Sequence, residues 1–475
     1  MNLEKRNKSS NSVNELLLNN DEVITNSKDI LSNLEQFYKD LYTRREIMSD
    51  EFFSNISLNH SKLSLEQQAS CEGLITLDEC SRVLQSMPSQ KSPGSDGLPI
   101  EFYKIFWDDI GNLVVNSFNY AFQCGHISDE QGRACITLIP KQYKDPRYIK
   151  NWRPISLLNA DYKILTKCLA SRMKGVLPDL ISHEQTGYLK GRYIGENIRL
   201  ILDLINYCQT DSVPGALLFL DFEKAFDCLD WKFLNNALLF FNFGNDFCTW
   251  IRILYCNMST CVLNNGFATN YFRVTRGVRQ GCPLSPYLFI TCTEVLNLLI
   301  NSNCNIRGIT ILGECIKISN YADDTVIITD GSENSIKEAV KVLNTFSGIS
   351  GLNINLTKSH LFPLGPFHEN RPGHFSRFSF DFSDGPITYL GISFTHHYDD
   401  FFHLNYLPKL SRIKNLLNVW SSRDLTPIGK ILIIKTFALS QLLYLFTVLP
   451  LPPMNFFCEL ETVFKNLFGQ RNPIK

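Results

Sequence analysis

The sequence of 475 residues has no excess of either charge. Its 46 Lys and Arg balance 47 Asp and Glu, and a net charge of -1 does not by itself indicate a nucleic-acid-binding protein. The longest apolar stretches, 285–301 and 431–453, carry Glu294 and Lys435 and have helical periodicity, so they predict core helices rather than membrane spans. The 26 Gly and 20 Pro are near background, which excludes a collagen-like or low-complexity chain.

The cysteines lack the spacing of a metal or redox motif. There are 15 of them, an odd number, and no two are arranged as C-x-x-C. They lie mostly in apolar segments, which is typical of small buried side chains in a reducing compartment. The chain starts with MNLEKRNKSSNS, which is polar and charged and lacks the apolar centre of a secretory signal. We therefore expect an intracellular protein.

One stretch departs from the overall charge balance. Residues 131–200 contain 13 Lys and Arg against 5 Asp and Glu, a local net charge of +8. A basic stretch within a neutral chain predicts one face or channel that binds a polyanion.

Helical and strand-like patterns alternate along the chain without a fixed-period repeat. The predicted helices cover much of 21–90, then 100–124, 155–176, 195–208, 230–240, 286–301 and 334–347, and most of 404–470. The predicted strands cover 135–139, 216–221, 259–275, 316–329 and 388–394. The Asn- and Ser-rich residues 1–20 are expected to be flexible. This mixture predicts an α+β fold.

Three aspartates lie where predicted strands end. Asp221 ends an apolar run that predicts a buried central strand, and Asp323 and Asp324 lie in a tight turn between two strands. If these strands are neighbours in one sheet, the carboxylates converge at its edge and repel each other unless a cation lies between them. Carboxylate oxygens suit Mg²⁺, and two such ions about 3.5–4 Å apart serve in-line phosphoryl displacement. A single Asp after a strand is more often a turn residue or a helix cap, so it is the pairing of Asp221 with the other two that favours a site.

Six motifs, in the same order, resemble those of the reverse transcriptases of non-LTR (LINE-type) retrotransposons. Tyr321-Ala-Asp-Asp324 resembles the central motif of that family, and Phe219-Leu-Asp221-Phe-Glu-Lys-Ala-Phe226-Asp resembles its first carboxylate motif. Arg276-Gly-Val-Arg-Gln280-Gly281-Cys-Pro-Leu-Ser-Pro286 resembles the motif on the dNTP and template side. The other three are Asn151-Trp-Arg-Pro-Ile-Ser156, His183-Glu-Gln-Thr-Gly-Tyr188 and Lys91-Ser-Pro-Gly-Ser-Asp-Gly97. The resemblance covers roughly residues 80–470.

The resemblance implies a right-hand polymerase with fingers, a palm built on an antiparallel sheet, and a helical thumb. The implied divisions are an N-terminal extension over 1–90, fingers over 91–215, a palm with some fingers elements over 216–395, and a thumb over 396–475. If the chain comes from a truncated retrotransposon, we expect this thumb to be truncated as well. A thumb of this kind clasps the duplex by its backbone charge.

The resemblance also implies roles for single residues. Asp221, Asp323 and Asp324 would be catalytic and would bind two Mg²⁺ ions, with Mn²⁺ as a substitute. The residues implied in dNTP binding are Arg153, Lys141, Phe222, Phe226, Gln280 and Gly281. Lys358 would protonate the leaving pyrophosphate as a general acid. Leu390 and Gly391 would form the primer grip.

Physical reasons accompany these roles, and each has a plainer alternative. Arg153 and Lys141 can bind triphosphate oxygens, or they are solvated surface charges. Phe226 can reject the ribose 2′-hydroxyl by steric clash, or it is a core residue. Gln280 and Gly281 are expected to begin a helix after a turn that contains glycine. Gln280 carries a donor and an acceptor, and Gly281 lets the backbone approach a ligand closely, but a helix-capping loop has the same composition. The alternative for Lys358 is a surface lysine without a catalytic role. The alternative for the primer grip is an ordinary strand that contains a glycine.

The implied activity is RNA-directed DNA synthesis by two-metal nucleotidyl transfer to a primer 3′-hydroxyl. The implied partners are an RNA template, a DNA primer and dNTPs, without a membrane, in the nucleus or cytoplasm. One alternative is a catalytically incomplete nucleic-acid-binding remnant. An RNA-synthesising polymerase is disfavoured by Phe226, and intron-encoded maturases resemble the motifs less closely. We expect no endonuclease here, because few residues precede the first motif.

Overall fold

The computed structural model describes residues 12–469 except 19–21, 46, 48–51, 54–55, 57–59, 142–143, 383–384 and 397–399. Residues 1–11 and 19–20 of the start that we expect to be flexible, and 470–475 of the predicted thumb, therefore lie outside the described residues. The chain divides into two compact units. Unit 1 comprises the residues up to Lys190 together with Phe222–Cys304 and Glu338–Asn355. Unit 2 comprises Gly191–Asp221, Asn305–Lys337 and the residues from Leu356 onward.

Helices make up most of the regular structure. The α-helices of the described residues are α1 (Ser27–Tyr42), α2 (Leu65–Cys71), α3 (Leu77–Ser86), α4 (Ile100–Ile105), α5 (Trp107–Cys124), α6 (Asp129–Gly132), α7 (Ala160–Leu180), α8 (Ile194–Thr210), α9 (Ala225–Cys228), α10 (Trp231–Phe240), α11 (Asn245–Tyr255), α12 (Ser285–Ser302), α13 (Glu333–Ser350), α14 (Pro366–Glu369), α15 (Leu407–Ser421), α16 (Pro427–Ile433), α17 (Ser440–Val448) and α18 (Met454–Gly469). Short 3₁₀ turns cover Ile149–Asn151, Leu356–Lys358 and Phe375–Arg377, and π-helical turns cover Phe402–Tyr406 and Ile434–Leu439.

The strands are mostly short. Those of the described residues are β1 (Leu16–Leu17), β2 (Val23–Ile24), β3 (Arg133–Pro140), β4 (Trp152–Leu158), β5 (Gly215–Leu220), β6 (Ser259–Asn264), β7 (Phe267–Ala268), β8 (Phe272–Arg273), β9 (Ile309–Ile311), β10 (Glu314–Ile316), β11 (Ile318–Tyr321), β12 (Asp324–Thr329), β13 (His360–Leu364), β14 (Ile387–Tyr389) and β15 (Ile392–Phe394). This mixture of helices and largely antiparallel strands confirms the predicted α+β class.

Unit 2 is built on a four-stranded antiparallel sheet in the order β11-β12-β5-β13. β5 lies in the interior of this sheet, and all six of its residues are buried. A strand buried on both faces reads as a continuous apolar run rather than as an alternating one. The prediction of a buried central strand before Asp221 is therefore confirmed.

The C-terminal helices of unit 2 share the hydrophobic core of that sheet. The ring of Phe219 in β5 lies 5.4 Å from the ring of Tyr389 in β14. The same buried cluster continues into the helices, where its members include Tyr406, Leu410, Ile413, Ala438, Leu442, Leu445 and Phe456. The predicted helical tail is confirmed for the described residues after 401, with a break between α15 and α16 and another between α17 and α18.

The core-helix prediction has different outcomes for the two long apolar stretches, 285–301 and 431–453. α12 is buried along most of its length, as predicted for a core helix. The helical segment Pro427–Val448 is long and apolar enough to cross a membrane, and only 28% of its apolar window is buried. Its buried face, which includes Leu442, belongs to the unit 2 core. The core-helix prediction is therefore confirmed for one face of this segment only, and one such helix is weak evidence for a membrane.

Unit 1 contains a second sheet in the order β4-β3-β6-β7, with β8 also paired to β6. The prediction of a helix over 155–176 is wrong at its start, because β4 continues to Leu158 and α7 begins at Ala160. Pro154 is tolerated because β4 is an edge strand, where a missing N–H costs no hydrogen bond inside the sheet. All fifteen cysteines lie among the described residues as free thiols, and most are buried, as predicted.

Candidate active site

Asp221 is the first residue beyond β5 and is exposed, whereas the six residues before it are buried. Its backbone N–H donates a hydrogen bond to the hydroxyl oxygen of Ser359, at 3.1 Å. Ser359 is fully buried and immediately precedes β13. This bond therefore fixes the backbone of Asp221 at the end of the sheet while its side chain faces solvent.

Asp323 and Asp324 lie at the tip of the hairpin formed by β11 and β12. Tyr321 pairs with Asp324, so the loop consists of Ala322 and Asp323. Ala322 is buried and has a φ of 57°. A left-handed conformation is normally taken by Gly in such loops, so this alanine stores backbone strain, which tends to concentrate at functional sites.

β5 and β12 bring these aspartates to one edge of the unit 2 sheet. The two strands are antiparallel neighbours, and Thr325 pairs with Leu220. One further step along this register places Asp324 beside Asp221. The expectation that the strands carrying the three aspartates are neighbours in one sheet is confirmed.

The chemistry of this edge suits a divalent cation. Carboxylate oxygens are the donors that hard cations such as Mg²⁺ prefer, and a cation offsets the repulsion between neighbouring carboxylates. Among the described residues, no three His, Cys, Asp or Glu side chains are already gathered closely enough to hold a metal ion. The register of β5 and β12, rather than the side-chain conformations, is what juxtaposes Asp221 and Asp324.

Lys358 is exposed at the end of the 3₁₀ turn Leu356–Lys358 in unit 2. The next residue, Ser359, holds the backbone of Asp221 through its hydroxyl. The carbonyl oxygen of Ser359 accepts a second hydrogen bond from the backbone N–H of Asp381, at 2.8 Å. Lys358 and Asp221 are therefore linked through one buried serine, which the sequence reasoning did not single out.

Leu390 and Gly391 form the two-residue turn between β14 and β15 of unit 2. Both have positive φ, 48° for Leu390 and 79° for Gly391, as a tight hairpin turn of this type requires. The carbonyl oxygen of Leu390 accepts a hydrogen bond from the hydroxyl of Tyr444 in α17, at 2.8 Å. The predicted strand over 388–394 is thus a hairpin, and a C-terminal helix supports its turn.

Lys141 and Arg153 lie close together in unit 1, at one end of the β3–β4 pair. Arg153 pairs with Ile139, and the backbone N–H of Lys141 donates to the carbonyl of Asn151 at 2.8 Å. Arg153 is exposed and Lys141 is partly exposed. The structure therefore brings these two predicted phosphate-binding residues together.

Gln280 and Gly281 lie in a loop before α12 rather than at the start of a helix, because α12 begins only at Ser285. The carbonyl of Gln280 accepts a hydrogen bond from the N–H of Ser156 in β4, at 2.8 Å. Gly281 has a φ of 108°, and a Cβ there would lie 2.8 Å from the carbonyl oxygen of Ser156. Only glycine fits this close approach, which fastens the loop to β4.

Phe226 and Phe222 have different environments in unit 1. The ring of Phe226 stacks on that of Phe289 in α12, with the centroids 4.6 Å apart, and remains partly exposed. Phe222 is buried and forms a β-bridge with Ile354. A partly exposed, stacked ring is available to a ligand, whereas the buried Phe222 offers a ligand mainly its backbone.

Comparison with known proteins identifies the family. Residues 139–394, more than half of the chain, match the model of the reverse transcriptase (RNA-dependent DNA polymerase) family. The chain belongs to this family. The matched range contains all twelve predicted site residues, from Lys141 to Gly391.

Several curated proteins are similar to this chain. It is 34% identical to a 149 kDa protein of transposon TX1 from Xenopus laevis, over 70% of this chain and 25% of that protein. It is 27% identical to the Pol polyprotein of retrotransposable element R2 from Popillia japonica, over 56% of this chain and 36% of that protein. It is 22% identical to the RNA-directed DNA polymerase of the mobile element jockey from Drosophila melanogaster, over 54% of this chain and 27% of that protein.

These relatives come from non-LTR retrotransposons, so the resemblance to non-LTR reverse transcriptases is confirmed. The family generally uses divalent metal ions and acts on nucleic acids. The matched segment spans only a quarter to about a third of the length of the first two relatives.

The sequence reasoning missed residues of this chain that hold the predicted site residues in place. Ser359 holds Asp221, Tyr444 holds Leu390, and Asp227 contacts Gln280. Asp227 follows Phe226 in a quoted motif and could have been noticed there. Tyr444 lies in a long apolar helix, where no local signal separates it from its neighbours.

Proposed function

We propose that this chain copies RNA into DNA by adding dNTPs to a primer 3′-hydroxyl. The observation that carries the proposal is the register of β5 and β12, which puts Asp221 and Asp324 at one sheet edge. Membership of the reverse transcriptase family supports the same reaction. The fold is proposed to be the right-hand polymerase, with fingers over 91–215, a palm over 216–395 and a thumb over 396–475.

Asp221, Asp323 and Asp324 are proposed to hold two Mg²⁺ ions, for which Mn²⁺ can substitute. When bound, such ions lower the pKa of the attacking hydroxyl and offset the charge of the leaving pyrophosphate. The strained backbone at Ala322 supports this assignment, because it fixes the position of both turn aspartates. The buried Ser359 supports it by holding Asp221.

The remaining residues are proposed to bind and orient the nucleotide. Arg153 and Lys141 bind triphosphate oxygens, which agrees with their place at one end of the β3–β4 pair. Phe226 rejects a ribose 2′-hydroxyl, and its stacking on Phe289 supplies the rigidity that a steric gate needs. Gln280 hydrogen-bonds the nucleotide, and the Gly281 and Phe222 backbones approach it.

Two roles are proposed for unit 2 residues beyond the aspartates. Lys358 donates a proton to the leaving pyrophosphate, and its link to Asp221 through Ser359 supports this role. Leu390 and Gly391 act as the primer grip, which their tight hairpin turn supports. The partners are an RNA template and a DNA primer, and the free cysteines support an intracellular location in the nucleus or cytoplasm.

The test is extension of a DNA primer annealed to an RNA template by the purified full chain with Mg²⁺ and dNTPs. We expect template-dependent extension. The alternative of a nucleic-acid-binding remnant predicts that the chain binds the RNA–DNA hybrid, as measured by a gel-shift titration, but adds no nucleotide. Absence of extension with intact binding would therefore replace the proposed function by that alternative.

A further inference from the structure

A chain of hydrogen bonds in unit 1 runs from α1 to the loop that carries Gln280. The hydroxyl of Tyr42, the last residue of α1, donates to one carboxylate oxygen of Asp227 at 3.0 Å. The side-chain amide of Gln280 donates to the other carboxylate oxygen at 3.1 Å. Asp227 is only 1% exposed, so both oxygens of a buried carboxylate have a donor, as a buried charge requires.

Asp227 determines which way the Gln280 amide faces. An ionised carboxylate only accepts hydrogen bonds, so the NH₂ group of Gln280 must face it and the amide oxygen must face away. The backbone of Gln280 is held separately, because its carbonyl accepts a hydrogen bond from Ser156. The half-buried side chain therefore presents its acceptor oxygen in one fixed direction.

Backbone hydrogen bonds also join the segment that contains Asp227 to the loop that contains Gln280. The N–H of Gly277 donates to the carbonyl of Leu229 at 2.7 Å, and the N–H of Val278 donates to that of Phe226 at 2.6 Å. A Cβ on Gly277 would lie 2.5 Å from the carbonyl oxygen of Asp227, so only glycine permits this packing. The proposed gate Phe226 and the proposed nucleotide contact at Gln280 thus belong to one packed assembly.

Two cationic side chains of unit 1, those of Lys224 and Arg276, act on the carboxylate of Asp227. Burial raises the pKa of Asp227 to about 6, and the ammonium of Lys224 and the guanidinium of Arg276 act to lower it. The Lys224 ammonium lies 4.1 Å from the ring centroid of Phe37 in α1. α1 therefore contributes both a hydrogen bond to Asp227 and an aromatic contact to the cation that faces it.

We propose that Tyr42 and Asp227 are positioning residues that act through Gln280 to set the affinity of the enzyme for dNTPs. The inference rests on the proposed role of Gln280 in nucleotide binding. α1 lies outside the six sequence motifs and outside the residues that match the family model. A helix of the N-terminal region thereby becomes part of the support of the nucleotide site.

A double-mutant cycle in the full chain tests this inference. Asp227→Asn keeps the side-chain shape but replaces one acceptor oxygen by a donor, so the Gln280 amide loses its fixed direction. We expect this change to raise the KM for dNTP about tenfold, with little effect on kcat, since a hydrogen bond to a charged group is worth at least that factor. Tyr42→Phe should raise the KM by a smaller factor. In a Gln280→Ala background, Asp227→Asn should add nothing.

Tyr38→Phe is the matched control. Tyr38 lies one turn earlier in α1, and its buried hydroxyl has no hydrogen-bond partner among the described residues, so its removal should leave the KM unchanged. Equal increases of the KM by Asp227→Asn in both backgrounds would overturn the inference, because they would show an effect independent of Gln280.

The proposed function and this inference can fail separately. If the wild-type chain extends no primer, the proposed function fails. The same cycle is then read as the equilibrium affinity for one dNTP, measured by fluorescence titration with Ca²⁺ as the cation. The inference is overturned if Asp227→Asn lowers the dNTP affinity equally in the wild-type and Gln280→Ala backgrounds, or if it does not lower that affinity at all.

Discussion

The hydroxyl of Tyr444 donates a hydrogen bond to the carbonyl of Leu390 at 2.8 Å, across 54 residues of sequence. Leu390 has a φ of 48°, a conformation that is costly for a leucine and needs support from its surroundings. α17 thus stabilises a strained turn that we propose to contact the primer.

Tyr444→Phe should weaken primer binding. Loss of this hydrogen bond removes about 1 kcal/mol of support from the turn, so we expect a several-fold rise in the KM for the primer–template with less effect on the KM for dNTP. Tyr193→Phe is the control, because it removes a hydroxyl contact to Thr447 of the same helix without touching the turn. Equal effects of the two variants would count against a primer-grip role.

Phe226→Ala should relax sugar selection. The variant removes the ring that stacks on Phe289 and opens space for a 2′-hydroxyl, so we expect ribonucleotide incorporation relative to dNTP to rise about 10- to 100-fold. The ratio of kcat/KM for a dNTP and the matching rNTP measures this. Phe267→Ala, which removes an exposed ring from β7, should leave the ratio unchanged. An unaltered ratio in Phe226→Ala would remove the gate assignment.

Lys358→Ala should lower the rate of the chemical step more than it lowers the affinity for dNTP. A general acid that protonates pyrophosphate contributes about 100-fold or more, so we expect kcat to fall by that order while the KM for dNTP changes little. Single-turnover incorporation measures the chemical step. Lys341→Ala, an exposed lysine of α13, is the control. A change confined to KM would instead indicate that Lys358 only binds the nucleotide.

Glu294→Gln should flatten the dependence of stability on pH. Burial raises the pKa of Glu294 to about 7, despite hydrogen bonds from Ser182 and Asn297. Between the unfolded pKa of 4.5 and about 7, the folded chain keeps a proton that the unfolded chain has lost. The stabilisation is therefore complete below pH 4.5 and is lost as the pH rises to about 7, by on the order of 3 kcal/mol.

Denaturant unfolding of the wild type and of Glu294→Gln across this pH range measures that difference. The wild type should lose stability as the pH rises, and the variant should lose about 3 kcal/mol less over the same window. Parallel pH profiles for the two proteins would mean that Glu294 titrates normally.

The sequence predicted the sheet edge that carries the aspartates because the signals there are local. β5 is a continuous apolar run that ends at Asp221, and the β11–β12 hairpin is two apolar runs around a two-residue turn. Burial pattern and turn chemistry are readable within about ten residues of sequence. The pairing of these strands followed from the chemistry expected of the carboxylates.

The features that the sequence did not predict depend on long-range packing. The predicted helix over 155–176 wrongly includes the last four residues of β4, because Pro154 and the apolar residues after it fit a helix start and only their pairing with β3 shows a strand. The bond from Tyr42 to Asp227 spans 185 residues, and that from Asp221 to Ser359 spans 138. No local pattern indicates such contacts, so the supporting residues became visible only in the structure.

The central claim is that Asp221, Asp323 and Asp324 act together in RNA-templated DNA synthesis. Its most direct test is single-turnover incorporation of one dNTP on an RNA template with Mg²⁺, comparing the wild type with Asp221→Asn, Asp323→Asn and Asp324→Asn. Asp211→Asn, which removes an exposed carboxylate after α8, is the control. We expect incorporation by the wild type and the control, and a fall of at least about 100-fold in each of the three other variants. Incorporation that survives any of those three substitutions would contradict the account.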